Sequence, residues 1–135
     1  MTLEENRRLI EQTLQTLQGE LPELQVTGYY NTNPSTPSID LYPADPSQEN
    51  GAFGLENGFA LWTVRARVNV ADDLAAQQIL IRLLDPDDRA SVAQALADAN
   101  LSVTEYSGYR EYPDMVDGRV LGCEWRVQAS LEGGN

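Results

Sequence analysis

A chain of 135 residues carrying 21 acidic and nine basic side chains, with a formal net charge of −12, has room for one domain and one core. All nine bases are arginine; lysine and histidine are absent, which removes the usual general base near neutral pH and the commonest metal ligand. The single cysteine excludes an intramolecular disulfide framework, no apolar run approaches the ~18 residues of a membrane span, and so acidic a surface is repelled by nucleic-acid backbones and anionic membranes.

The opening Met-Thr-Leu-Glu-Glu-Asn-Arg-Arg lacks an apolar stretch, so no secretory leader is expected. Leu3, Ile10, Leu14 and Leu17 repeat at helical spacing, with Thr2 placed as an N-cap, Gly19 near the end and Pro22 as the stop. Leu24 to Tyr30 reads as a first strand. After the turn-forming stretch 31–37, a short strand is predicted over Ser38 to Tyr42. Residues 43–58 then form a loop too long for an ordinary connection, with Phe53 and Leu55 set inside it. Phe59 to Val70 is the strongest strand: Ala60, Trp62, Val64, Ala66, Val68 and Val70 alternate with Phe59, Leu61, Thr63, Arg65, Arg67 and Asn69. The first set is assigned to the core.

Asp72 or Asp73 is expected to cap a helix striped by Ala76, Ile79, Leu80, Leu83 and Leu84. Asp85-Pro86-Asp87-Asp88 breaks it and opens another, striped by Val92, Ala95, Leu96 and Ala99. A terminal hairpin pairs Leu101–Tyr112 with Arg119–Leu131, a bulge being expected at Ser107-Gly108. The order α-β-β-β-α-α-β-β predicts an α+β fold in a single domain, 1–135. Its sheet is mixed, mostly antiparallel, of about four to five strands, with the helices packed on one face.

Few residues offer chemistry. Without histidine no Ser-His or Cys-His arrangement exists within the chain. Cys123 alternates in phase with Trp125 and Val127 and reads as a buried small hydrophobe. The aspartates at 72–73 and 85–88 sit where helices begin, so capping explains them, and they miss the spacing of a calcium loop. The glycines at 51–58 lead into a strand rather than a helix and do not make a phosphate cradle. No catalytic, cofactor or metal site is therefore expected.

Surfaces remain. Arg65 and Arg67, with Phe59 and Leu61 beside them, are read as a mixed apolar and cationic patch on the outer sheet face, fit to meet an acidic neighbour. The alternative is a plain solvated face. Tyr106, Tyr109, Tyr112 and Arg110 form a second candidate interface, or else ordinary sheet packing.

Several stretches fall in a familiar order: the acidic amphipathic start, the Pro/Asn-rich stretch, the long loop, Ala71-Asp72-Asp73-Leu74-Ala75-Ala76-Gln77 and Leu83-Leu84-Asp85-Pro86. They are followed by Ser91-Val92-Ala93-Gln94-Ala95-Leu96, Tyr106-Ser107-Gly108-Tyr109-Arg110-Glu111-Tyr112 and Leu121-Gly122-Cys123-Glu124-Trp125-Arg126-Val127. Over nearly its whole length the chain resembles the tail terminator and related head–tail connector proteins of long-tailed bacteriophages. The loop at 43–58 is long for that pattern.

The resemblance implies a non-enzymatic virion protein without cofactor, assembled in the bacterial cytoplasm into a homo-hexameric ring. Such a ring caps the last ring of the major tail tube protein, stops its growth and meets the neck or stopper protein at the head–tail junction. Genomic DNA then passes through the lumen unbound, and a charge of −12 fits such passage. A stopper or head-completion protein is the nearest alternative. An acidic inhibitor that mimics DNA is an alternative of another class.

Overall fold

The computed structural model describes residues 1–32, 35–44, 58–69, 74–112 and 120–131. Helix α1, Leu3–Gln15, begins where the sequence places it. The Thr2 hydroxyl accepts from the Glu5 N–H at 3.0 Å, and the Glu5 carboxylate accepts from the Thr2 N–H at 2.9 Å. A 3₁₀ turn, Thr16–Gly19, ends it. Ile10, Leu14 and Leu17 are buried as expected, but Leu3 is 46% exposed. As the first helical residue its side chain leans toward the start of the helix, and Asn6 is the first side chain of α1 to be buried. Asn6 accepts from the Trp62 indole N–H at 2.5 Å and donates to the Ser130 carbonyl at 3.3 Å, so a polar side chain is tolerated there.

The sheet holds six strands among the described residues: β1 (Gln25–Thr27), β2 (Ser38–Pro43), β3 (Phe59–Asn69), β4 (Ser102–Tyr106), β5 (Arg110–Glu111) and β6 (Val120–Ser130). Their spatial order is β1-β2-β3-β6-β4, with β5 also on β6. β1 runs parallel to β2 and every other pair is antiparallel, which gives the mixed, mostly antiparallel sheet. The long β3–β6 pair forms its centre, from Phe59 opposite Ser130 to Asn69 opposite Val120. β1 is shorter than the expected 24–30. The Arg7 guanidinium donates to the Gly28 carbonyl at 3.2 Å, and Tyr29 and Tyr30 leave the ladder there.

Helix α2 spans Leu74–Leu84 and α3 spans Val92–Asp98. α2 buries Ala76, Leu80 and Leu83, leaving Ile79 and Leu84 half-buried. Its expected cap, Asp72 or Asp73, lies outside the described residues, as do Val70 and the hairpin turn 113–118. The aspartates at 85–88 do not cap α3. Asp85 accepts from the Asp87 N–H at 2.9 Å, and Asp88 accepts from the Ala90 N–H at 2.8 Å while pairing with Arg82 at 3.1 Å. They brace the connection, and the cap falls to Ser91, whose hydroxyl accepts from the Gln94 N–H at 3.1 Å.

All three helices cover one face of the sheet. Ile10, Leu14, Leu80, Leu83, Val92 and Leu96 meet Ile39, Leu41, Trp62, Val64, Cys123, Trp125 and Val127 in one continuous core. Cys123 is fully buried, and burial pushes its thiol up to about 12. Sequence and structure agree on an α+β fold with helices on a single face. They differ in that the strand expected over 101–112 is two strands, parted at 107–109, with a further register shift between Val103 and Glu105.

Candidate functional site

The strand alternation that sends Val64 and Ala66 into the core sends Arg65 and Arg67 to the opposite face, where the sequence suggests an exposed patch. The structure corrects this: Arg65 is 5% exposed and Arg67 3%. The cause is register. Asp40, itself 1% exposed, lies directly opposite Arg65 on β2 and accepts from its Nε at 3.0 Å and its Nη2 at 2.5 Å. Arg67 adds a third contact to the same carboxylate at 3.2 Å, and both guanidiniums donate to the Asn31 carbonyl, at 3.3 and 2.5 Å. Two buried cations thus share one carboxylate, with hydrogen bonds rather than water supplying much of the solvation.

Tyrosines roof the cluster. The Arg65 guanidinium lies 4.7 Å from the Tyr30 ring centre, 5.0 Å from Tyr42 and 5.7 Å from Tyr112. Tyr30 and Tyr42 meet edge to face at 4.9 Å. On the far side Glu124, opposite Arg65 on β6, accepts from the Tyr112 hydroxyl at 2.7 Å and from Arg110 at 3.1 Å. Burial pushes the Tyr112 phenol up, and the Glu124 carboxylate beside it pushes the same way. Burial works against the Arg65 charge, but the Asp40 contacts outweigh it and the guanidinium is held more firmly protonated. For Arg67 burial prevails and the shift is downward.

The other candidate residues scatter. Phe59 and Leu61 are half-buried at the opposite end of the same sheet face. Phe53 and Leu55 lie outside the described residues, as does most of the 43–58 loop. Tyr106, Tyr109 and Arg110 are exposed beside β4 and β5, whereas Tyr112 is half-buried in the roof. The Tyr109 hydroxyl donates to the Gln77 carbonyl at 3.2 Å, which ties this end of the sheet to α2. A cleft of about 250 Å³ opens beside Tyr106, lined by Thr63, Glu105, Arg110, Glu124 and Arg126. Its charges are mutually satisfied: Arg110 pairs with Glu124 at 3.1 Å and Arg126 with Glu105 at 3.0 Å.

Two residues that the sequence places in a strand, and in neither surface candidate, follow β1. Tyr29 and Tyr30, just past β1, are 60% and 57% exposed. Asp40 was also missed, although Ile39 and Leu41 on either side mark it as facing away from the core. At this end Arg7 lies 4.1 Å over the Tyr29 ring and pairs with Glu4 at 2.7 Å and Glu11 at 2.6 Å.

The Glu4 carboxyl is lowered from 4.5 to about 2, first through its hydrogen bond to Arg7. A carboxyl lowered in the folded state adds stability above its unfolded value and loses it as pH falls. The excess melting temperature of the native chain over Glu4→Gln is thus expected to be constant above pH 5 and to disappear on acidification between 4.5 and about 2. Thermal melts across that range check it. The difference is small, because the pair is open to solvent.

Among the described residues no three cysteine, aspartate or glutamate side chains are grouped to hold a metal ion. Among them, too, no helix is long and apolar enough to cross a membrane. No protein-family model matches the chain.

Proposed function

We propose that this chain is a non-enzymatic structural subunit that works through its surfaces, forming the tail-terminator ring at the head–tail junction of a long-tailed phage. The observation that carries the reading is where the exposed aromatics fall. Among the described residues three of the four exposed aromatics stand beside the outer strands of an open sheet, Tyr29 just past β1 and Tyr106 and Tyr109 at and after β4, while Tyr30 covers Arg65. A domain with sticky residues at opposite ends is suited to head-to-tail association, and head-to-tail contacts close into rings when the rotation permits. The element order adds support, because the helix, strands, paired helices and final hairpin follow the pattern that suggested terminators from sequence. The net charge of −12 would let duplex DNA slide through a lumen built from such subunits.

The buried arginines support a structural role for the outer sheet face. Asp40, the most enclosed carboxylate there, is held by two guanidiniums. Light scattering across concentration, followed by negative-stain imaging with purified tail tubes, tests the reading. A six-fold ring seated on one end of a tube is the expected result. A ring that binds only the head-side neck would shift the assignment to a stopper. A monomer that ignores tubes would overturn it.

A further inference from the structure

Residues 28–31 pass round the β1 edge of the sheet and are fastened on both faces. On the helix side the Arg7 guanidinium lies 4.1 Å over the Tyr29 ring and donates to the Gly28 carbonyl at 3.2 Å. On the outer face Arg65 lies 4.7 Å from the Tyr30 ring centre, and Tyr30 meets Tyr42 edge to face at 4.9 Å. The Asn31 N–H donates to Asp40 Oδ2 at 2.9 Å, and the Asn31 carbonyl accepts from Arg65 at 3.3 Å and from Arg67 at 2.5 Å. We infer that this segment is a strap that opens ahead of the rest of the fold, and that the opened strap presents Arg65 and Arg67 to an anionic oxygen group. The inference goes beyond the ring reading and does not depend on it.

The fastenings are of a kind that gives way locally. Tyr29 and Tyr30 are mostly exposed and neither belongs to the core, so the strap buries no large apolar side chain. Little hydrophobic free energy therefore opposes its departure. Its described contacts are hydrogen bonds and cation–π contacts, which exchange for water at small net cost. By contrast β3 is held by ladders on both sides and by Val64, Ala66 and Val68 in the core. Segments with few buried apolar contacts open at lower free energy than core strands. Opening also brings water to the Arg65 guanidinium, which recovers part of the hydration lost on burial.

The Asn31 carbonyl marks the place that an anion would take. Its oxygen receives N–H groups from two guanidiniums, a donor set suited to a carboxylate or phosphate oxygen. A neutral carbonyl uses these donors at roughly half the strength of an ionised acceptor. With the strap away, Arg65 keeps Asp40 through Nε and Nη2, and Tyr42 and Tyr112 still flank it. Asp40 opposes a second anion, but two guanidiniums attract it. Strap and anion compete for the same donors, so the apparent affinity is the intrinsic affinity scaled by the fraction of open strap.

Native-state hydrogen exchange of the full chain, read by NMR, tests both halves. The Asn31 amide is expected to exchange on the order of a hundredfold faster than amides at the centre of β3. Urea below the unfolding transition should speed the β3 amides and leave Asn31 nearly unchanged, because local opening exposes little surface. If Asn31 keeps pace with β3 as urea is raised, the strap opens only when the chain unfolds and the inference is wrong. Inorganic phosphate, exchanged for sodium chloride at constant ionic strength, is expected to speed Asn31 saturably and to shift the Arg65 Nε resonance. A parallel series with acetate shows whether a carboxylate serves as well. No saturable effect from either anion overturns the site. Phosphate that slows Asn31 also overturns it, since the closed form would then be the binder. Tyr29→Ser loosens the strap on the helix side without touching Arg65. It should raise Asn31 exchange and tighten phosphate binding by the same factor, a several-fold change in both. Faster exchange without tighter binding would break the link between strap and anion and overturn the inference.

Discussion

Replacing Asp40 by alanine is expected to destabilise the fold by about 3–5 kcal/mol, the typical effect of removing one partner from a buried ion pair. Asp40 is 1% exposed and is the carboxylate shared by Arg65 and Arg67, which are 5% and 3% exposed. Without it, two guanidiniums remain in a space roofed by Tyr30, Tyr42 and Tyr112. Neither can lose its proton near neutral pH, since arginine stays charged in proteins. The remaining options are water entry or departure of the loop around Asn31, and both open the outer sheet face. Urea unfolding followed by tryptophan fluorescence measures the loss.

Asp40→Asn keeps the shape and an acceptor oxygen but removes the charge, so an intermediate loss is expected. The triple variant Asp40→Leu, Arg65→Met, Arg67→Met removes the charges together and should recover most of the stability, as exchanges of whole buried ion clusters for apolar groups often do. If Asp40→Ala loses less than about 1 kcal/mol, the cluster is effectively solvated and the burial argument fails.

That cluster also marks the boundary of what the sequence discloses. Local signals sufficed for Thr2 as a cap, for β3 and β6 by strict alternation, and for the core faces of α2 and α3. Each depends on residues within a few positions of one another. The fate of Arg65 and Arg67 depends on Asp40, 25 residues before Arg65, and on the register that sets them side by side. Alternation announces only which face a side chain takes, not whether something covers that face. Here the cover is the segment after β1, and it turns over the sheet because Gly28 lets Arg7 reach its carbonyl. The same remoteness hid the two-ended arrangement of tyrosines. Tyr106 and Tyr109 are conspicuous in sequence, but their counterpart at the other end, Tyr29, belongs to a stretch that reads as strand. Asp85 to Asp88 misled for a local reason: a carboxylate before a helix can cap it or brace the preceding turn, and Ser91, nearer the helix, took the cap.

Gly122→Ala is expected to cost about 3 kcal/mol, the upper part of the usual range for overpacking. Gly122 sits within β6 opposite Arg67, where glycine would ordinarily weaken a strand and so points to a close approach. A Cβ here would collide with the Ala66 carbonyl oxygen and would lie 2.7 Å from the Tyr112 ring and 3.2 Å from Arg67 Cγ. The first obstacle is backbone in the centre of the sheet and cannot move without spreading β3 from β6. The second is the ring that closes the roof over Arg65 and donates to Glu124.

Gly28→Ala offers the contrast. A Cβ there meets the guanidinium of Arg7 and the carboxylate of Glu11, the far ends of flexible side chains. They can swing outward, but Arg7 is 9% exposed and also gives up its bond to the Gly28 carbonyl, so about 1–2 kcal/mol is expected, still short of Gly122→Ala. Chemical denaturation of both variants separates the two kinds of crowding. Tyr112→Ala placed on top of Gly122→Ala adds a further check: because the Ala66 carbonyl still blocks the methyl group, the double variant should remain destabilised. Full recovery would place the conflict in the roof alone and leave the β3–β6 backbone spacing with more tolerance than its geometry implies.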